Sequence, residues 1–109
     1  MKLAIIGSRN LDVENIGDYV SAGVTEIVSG GAKGIDTVAA TYAKDNGITL
    51  TVFLPDYQRY RRGAPLKRNQ QIAEYADEVL AFWDGSSRGT IYTVNLFKKL
   101  NKPVTIVQL

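Results

Sequence analysis

The stretch Thr25–Gly47, "TEIVSGGAKGIDTVAATYAKDNG", decides the fold class because it joins a strand to a helix through a glycine-rich turn. "TEIVS" is a short apolar run that predicts a strand. Residues 35, 38, 39, 42 and 43 are apolar at the spacing of one helix face, and Gly47 predicts the end of that helix. The turn between them holds glycines at positions 30, 31 and 34. Such a turn is either merely tight or lets a ligand approach the main chain closely.

The same alternation of strand and helix runs through the rest of the chain. The other predicted strands are "KLAII" (Lys2–Ile6), "TLTVFL" (Thr49–Leu54), "DEVLAFW" (Asp77–Trp83) and "PVTIVQL" (Pro103–Leu109). The other predicted helices are "DVENIGDYVSAG" (Asp12–Gly23, with Asp12 as N-cap), Pro65–Tyr75 and Gly89–Asn101. The pattern predicts one α/β domain over residues 1–109, an open parallel five-stranded sheet with helices on both faces.

The composition is that of an ordinary globular protein, with 45% hydrophobic and 22% charged residues. No apolar run approaches the roughly 20 residues that span a bilayer, and the first residues do not have the pattern of a signal peptide. There is no cysteine and no histidine, which removes disulfides, thiolate metal sites and the commonest catalytic base. We therefore expect a cytoplasmic protein with no membrane association and no metal site.

Positive charge is concentrated in one segment. Between Asp56 and Asn69 lie five basic residues and a single acid, a net charge of +4, although the whole chain carries only +2. The remaining residues therefore sum to −2. A local basic segment on a nearly neutral body favours a site for an anion over a surface coated with nucleic acid.

Polar and glycine-rich sequences follow four of the predicted strands: "GSRN", "SGGAKG", "PDYQRYRRG" and "DGSSRGT". The connections at the opposite ends of the strands are plainer. Ligands of open parallel sheets bind in the crevice beyond the carboxyl ends of the strands, where the strand order reverses. The sequence therefore predicts a ligand site at this edge of the sheet.

The glycine-rich turn is the first candidate for phosphate binding. Gly30, Gly31, Ala32 and Gly34 are predicted to offer backbone N–H groups to a phosphate, with Ser29 and Lys33 adding a hydroxyl and a charge. The alternative is a tight turn in which Gly34 packs against the sheet. Asp36 would repel a phosphate, so it is interpreted either as a helix cap or as the acceptor of a ribose hydroxyl.

Three further loops supply candidates, each with a structural alternative. Arg9 either binds a phosphate through two parallel hydrogen bonds or is a surface arginine. The turn from Ser86 to Thr90 offers hydroxyls and amides at a helix start, where serine and threonine also serve as caps. Asn69 shares the apolar face of its helix, where it either fastens a neighbouring loop or meets the ligand.

Taken together, these loops resemble those of the SLOG superfamily, which contains the DNA-processing protein A family and the Lonely Guy phosphoribohydrolases. They are most similar to its small YspA-like branch. The resemblance rests on "GSR", "SGGAKGID", "RN" and "DGSSRGT". It implies a Rossmann-like fold that holds a nucleotide or nucleotide-derived ligand, without a separate cofactor, and pairs as a homodimer in some members. The predicted binding residues are Gly7, Ser8, Arg9, Ser29, Gly30, Gly31, Ala32, Lys33, Gly34, Asp36, Arg68, Asn69, Asp84, Gly85, Ser86, Ser87, Gly89 and Thr90.

The departures from these relatives bear on activity. The Lonely Guy motif P-G-G-x-G-T-x-x-E ends in a catalytic glutamate, and the corresponding residue here is Thr93. The sequence therefore favours a binding domain, such as a ligand sensor, with no catalytic residue assigned. One alternative is a nucleoside monophosphate phosphoribohydrolase, which would need Asp36 or Asp84 as its base. The other is a single-stranded DNA-binding module that uses Tyr57, Tyr60 and the nearby arginines.

Overall fold

The computed structural model describes residues 1–109 and contains one five-stranded sheet. The strands are β1 (Lys2–Gly7), β2 (Glu26–Ser29), β3 (Thr49–Val52), β4 (Glu78–Trp83) and β5 (Val104–Gln108). They are ordered β3-β2-β1-β4-β5, and every neighbouring pair is parallel. The order reverses between β1 and β4, because the chain winds outward from β1 to β3 and then returns to the other side of β1. This confirms the predicted α/β class and its Rossmann-like open parallel sheet.

The helices lie on both faces of the sheet, as predicted. They are α1 (Ile35–Asp45), the short α2 (Tyr57–Tyr60), α3 (Ala64–Tyr75) and α4 (Arg88–Lys99), with 3₁₀ turns at Ile16–Tyr19 and Arg61–Gly63. None of these helices has the length and apolar character needed to cross a membrane.

Two hydrophobic cores result from the alternation of side chains along each strand. Ile5 and Ile27 point toward α1 and pack in the core that includes Ile35. Ala4 and Val28 point the other way and pack in the core formed with α3 and α4, which includes Phe97. The central strands β1 and β4 are buried along most of their length, whereas the edge strand β3 is largely exposed.

The predicted helix over Asp12–Gly23 is wrong. This segment contains only the 3₁₀ turn, whose N-terminal flank is Asn15 rather than Asp12. Val13 and Ile16 are nevertheless buried in the core beside α1, so their spacing reflects burial without regular helix. Gly17 lies so close to α1 that a side chain there would come within 2.9 Å of the Tyr42 ring. Glycine, asparagine and β-branched residues also have low helix propensity, which favours the irregular path.

The predicted basic loop contains a short helix. Asp56 caps α2 by accepting a hydrogen bond from the amide of Arg59 at 3.2 Å. The 3₁₀ turn then leads directly into α3, so the segment from 56 to 69 is ordered as two consecutive helices joined by that turn.

Candidate functional site

A cleft of about 520 Å³ lies at the carboxyl ends of the strands. Its walls come from the loops after β1, β2 and β4, from the first turns of α3 and from the start of α4. The cleft spans the point between β1 and β4 at which the strand order reverses. Its size falls within the range of about 300–1,000 Å³ typical of small-molecule sites, and its position is the one expected for ligands in this kind of sheet.

The cleft brings together most of the residues predicted from the sequence. Those that line it are Gly7, Ser8, Arg9, Gly30, Ala32, Asp36, Arg68, Asn69, Asp84, Ser87, Gly89 and Thr90. The other six do not line it: Ser29, Gly31, Lys33, Gly34, Gly85 and Ser86. The part of every one of these residues in ligand binding stays a prediction, and the structure gives three of the last six a local role.

Ser29, Gly31 and Gly34 stabilise the conformation of the glycine-rich loop. The buried hydroxyl of Ser29 accepts a hydrogen bond from the amide of Gly31 at 3.3 Å. Gly34 has φ +78°, and a side chain there would lie 2.6 Å from the carbonyl oxygen of Arg9. Gly34 therefore packs against the loop after β1. In the tight turn that was the alternative predicted from the sequence, Gly34 would pack against the sheet instead.

Asp36 turns back from the first turn of α1 into the glycine-rich loop. Its Oδ2 accepts a hydrogen bond from the amide of Ala32 at 2.9 Å. Burial raises the pKa of Asp36, and this effect outweighs the Ala32 amide, the charge of Arg68 and the Gly30 amide, which all lower it. The loop that was predicted to bind phosphate through its amides thus holds a carboxylate of its own.

Arg68 reaches across from α3 to the same loop. Its Nη1 donates to the carbonyl oxygen of Gly30 at 2.6 Å, and its Nε donates to Oδ1 of Asn69 at 2.8 Å. Burial lowers the pKa of Arg68, while the negative charge of Asp36 opposes that shift. Because Asn69 gives its oxygen to Arg68, its amide nitrogen is available to the cleft.

The loops after β1 and β4 are joined at the centre of the cleft. The amide of Ser8 donates to the carbonyl oxygen of Phe82 at 3.1 Å, and the buried Ser8 hydroxyl accepts from the amide of Asp84 at 3.2 Å. Ser8 is therefore held rigidly by β4. The adjacent Arg9 is exposed at the cleft wall.

The turn before α4 satisfies most of its own amides. Oδ1 of Asp84 accepts from the amides of Ser86 at 2.9 Å and Ser87 at 2.8 Å, and these bonds lower the pKa of Asp84. Ser87 caps the helix by accepting from the amide of Thr90 at 3.4 Å. The amides of Arg88 and Gly89 have no acceptor within the chain, and Gly89 lines the cleft. These two amides lie at the positive end of the α4 dipole.

Six lining residues were missed: Ile6, Asn10, Pro65, Leu66, Ile72 and Thr93. Asn10 directly follows the "GSR" motif, so its place in the cleft could have been predicted from the sequence. Pro65 and Leu66 lie in the first turn of α3, whose path over the cleft depends on the chain crossing to the other face of the sheet. Thr93, at the position of the Lonely Guy glutamate, lines the cleft and donates its hydroxyl to the carbonyl oxygen of Gly89 at 3.0 Å.

The first part of the basic segment, Tyr57–Arg62, comes shortly before the α3 residues that line the cleft. Tyr57 is 58% exposed, and the charges of Arg59 and Lys67 lie 5.4 Å and 5.7 Å from the ring centre of Tyr60. Arg61 has φ +54°, a left-handed conformation that is unusual for arginine. Tyr57–Arg62 and Lys67 form a basic and aromatic rim, and none of these residues lines the cleft.

The fold and the cleft define a Rossmann-like α/β protein with a polar site at its topological switch point. The family model YAcAr, described as the YspA, cpYpsA-related SLOG family, matches residues 18–60. This match confirms the resemblance to the YspA-like branch of the SLOG superfamily. It covers the glycine-rich loop and α1, while the motifs at 7–9, 68–69 and 84–90 lie outside it. No curated protein and no solved structure matches the chain.

Proposed function

We propose that this protein binds a nucleotide or nucleotide-derived ligand in the cleft between β1 and β4. The observation that carries the proposal is the cleft itself, which gathers residues from four separate parts of the chain at the switch point. Only 4 of its 18 lining residues are hydrophobic, and four are charged: Arg9, Asp36, Arg68 and Asp84. The match of residues 18–60 to a SLOG family model is consistent with a nucleotide-related role.

The phosphate of the ligand would bind at the start of α4. The free amides of Arg88 and Gly89, the hydroxyl of Thr90 and the helix dipole favour an anion there. Arg9 lies in the neighbouring loop after β1 and would supply the charge. The glycine-rich loop is less suitable, because the amide of Ala32 already donates to Asp36 and that of Gly31 to Ser29.

The experiment is a thermal-shift panel at fixed salt with AMP, ADP-ribose, NAD, ribose 5-phosphate and a short single-stranded oligonucleotide. A ligand at 100 times its dissociation constant stabilises by about 2.7 kcal/mol, which raises the midpoint by several degrees in a domain of this size. We expect a shift with a nucleotide or its derivative, and we expect Arg9→Gln to abolish it. Arg62→Gln is the matched control, since Arg62 lies on the rim and outside the cleft.

The panel also distinguishes the single-stranded DNA alternative. A shift with the oligonucleotide alone, lost in Arg62→Gln but kept in Arg9→Gln, would move the site to the rim. That binding would weaken steeply with salt. A flat response to every compound would contradict the proposed function.

A second candidate, cleavage of an N-glycosidic bond, is favoured by one observation. Two carboxylates line the same cleft with pKa values shifted in opposite directions, that of Asp36 upward and that of Asp84 downward. Such divergence is typical of acid–base pairs. Release of free base from AMP, lost in Asp36→Asn, would support an enzyme, whereas binding without turnover would support the sensor.

A further inference from the structure

Asp36 gives the cleft a second recognition element, which rests on the proposed function. We infer that Asp36 reads the vicinal hydroxyls of a ribose, so that the site selects ribonucleotides over 2′-deoxyribonucleotides. The glycine-rich loop would then be a hydroxyl-binding site, and the phosphate would bind only at the α4 side.

The geometry of the carboxylate leaves one oxygen for the ligand. Oδ2 accepts a hydrogen bond from the amide of Ala32, and the amide of Gly30 lies close enough to lower the pKa of the carboxyl, whereas Oδ1 has no hydrogen bond of ordinary geometry within the chain. No fully buried side-chain oxygen or nitrogen lacks a partner, so Oδ1 is at least partly exposed, and Asp36 lines the cleft. A carboxylate is an acceptor only, so its natural partner in a ligand is a hydroxyl or another donor.

The surroundings of Asp36 fix its orientation. Gly30 lies between Asp36 and Arg68: a side chain at Gly30 would come within 2.7 Å of Nη1 of Arg68 and 3.2 Å of Oδ2 of Asp36. The absence of that side chain leaves room for the guanidinium of Arg68 to approach the main chain of Gly30 beside the carboxylate. Burial raises the pKa of Asp36, and the nearby charge of Arg68 opposes that rise and so favours the ionised form, which accepts hydrogen bonds from hydroxyls.

A phosphate at this loop is disfavoured for the same reasons. It would face a partly buried carboxylate, and the amides of Gly31 and Ala32 already have acceptors. Neutral hydroxyls meet neither obstacle, and they gain a charge-assisted hydrogen bond.

The sheet order sets the distance between the two ends of the site. The loops that line the cleft follow β2, β1 and β4, which are consecutive neighbours in the sheet. β2 and β4 are therefore about two strand spacings apart, or about 10 Å, which sets the scale of the separation between Asp36 and the start of α4. A ribose 5′-phosphate spans this gap when a hydrogen-bond length is added at each end. The sugar would then lie over Gly7–Arg9.

The test compares matched ligand pairs: AMP with 2′-deoxy-AMP, GMP with 2′-deoxy-GMP and CMP with 2′-deoxy-CMP. Dissociation constants are measured by calorimetry at one pH and one salt concentration for the wild-type chain, Asp36→Asn and Asp36→Ser. For the pair that binds best, we expect the wild-type chain to prefer the ribonucleotide by about tenfold or more. Both variants should reduce this preference to within about twofold. Asp45→Asn, at the exposed other end of α1, should keep the wild-type preference.

The outcomes separate this inference from the proposed function. Equal affinity of the wild-type chain for both members of each pair would overturn the role of Asp36, while the nucleotide site would stand. A ribonucleotide preference that persisted in both variants would also overturn it. If no nucleotide bound at all, the proposed function would fail and this inference with it.

Discussion

Arg68 and Gly30 are joined across 38 residues of sequence by a hydrogen bond of 2.6 Å from Nη1 to the carbonyl oxygen. The contact ties α3, on one face of the sheet, to the loop that begins α1 on the other. It therefore closes the cleft on the β2 side and fixes the guanidinium beside Asp36. The closeness of Arg68 requires glycine at position 30.

Gly30→Ala is expected to displace Arg68 rather than to unfold the protein. The added methyl group would lie 2.7 Å from Nη1, which is the movable end of a flexible side chain. The cost is the overlap and the weakened hydrogen bond, about 1–2 kcal/mol in the free energy of unfolding. We expect nucleotide affinity to fall at least about tenfold, because the part of the cleft wall that Arg68 forms would move. Urea unfolding and calorimetry measure the two effects.

The control is Gly63→Ala, at a position with φ −80° and nothing within 4 Å of the added methyl group. Its free energy of unfolding should stay within about 1 kcal/mol of the wild-type value. We expect a small increase, because alanine restricts the unfolded chain more than glycine does. Wild-type affinity in Gly30→Ala would contradict the account.

Gly34→Ala is expected to be the most damaging glycine substitution in the loop. Its φ is +78°, and the methyl group would lie 2.6 Å from the main-chain oxygen of Arg9, which cannot move aside as a side chain can. We expect a loss of about 3 kcal/mol or more. Gly47→Ala is the matched comparison, with φ +64° and open space. It should lose only about 1 kcal/mol. Equal losses in the two variants would contradict the close packing of Gly34.

The pH dependence of stability should separate Asp36 from Asp84. Because burial raises the pKa of Asp36 in the folded state, its contribution to stability falls as pH rises through the window between the unfolded and folded pKa values. Asp36→Asn should therefore be at least as stable as wild type at pH 7, with the difference vanishing at lower pH.

The pKa of Asp84 is lowered by the amides of Ser86 and Ser87, so its contribution is present above the unfolded pKa and is lost as pH falls through the folded pKa. Asp84→Asn should therefore be less stable than wild type at pH 7, and this gap should close in acid. Melting temperatures of the three proteins from pH 3 to pH 8 provide the measurement. Parallel curves would refute both assignments.

Lys102 is expected to stabilise α3 by capping its carboxyl end. Its Nζ donates to the carbonyl oxygens of Ala73 at 2.7 Å, Glu74 at 3.0 Å and Ala76 at 2.8 Å. Lys102→Met should cost about 2 kcal/mol, since bonds from a charged donor to otherwise unpaired carbonyls are lost. Lys99→Met, at an exposed position of α4, should change stability by about 0.5 kcal/mol or less. Denaturant titration of both variants checks the difference.

The sequence predicted the fold class because burial leaves a periodic signal. The central strands β1 and β4 are apolar along their length, and the stripe from Ile35 to Ala43 faces the core. The helix expected over Asp12–Gly23 failed because apolar spacing reports burial and cannot distinguish a helix from an irregular segment packed equally well. There, close packing of Gly17 on Tyr42 and weak helix propensity decided the outcome.

The site was predictable only in part. Parallel strands bring their carboxyl ends to one edge, so the loops containing Arg9, Asp36 and Thr90 were expected to meet there. The sequence could not show that the carboxylate of Asp36 would hold the amide of Ala32, because that depends on the path of a four-residue turn. The sequence also could not show that Pro65 and Leu66 line the cleft, since that depends on how α3 crosses the sheet.

The most direct test of the central claim is a ¹⁵N–¹H NMR titration of the full chain with the nucleotide that gives the largest thermal shift. For a nucleotide site in the cleft, we expect saturable shifts confined to the amides around it: Ser8 and Arg9, Gly30 to Ala32, and Arg88 to Thr90. The amides of Arg88 and Gly89 should move most, since they have no acceptor within the chain. Shifts confined to the rim from Tyr57 to Arg62, or spread over the surface without saturation, would contradict a nucleotide site in this cleft.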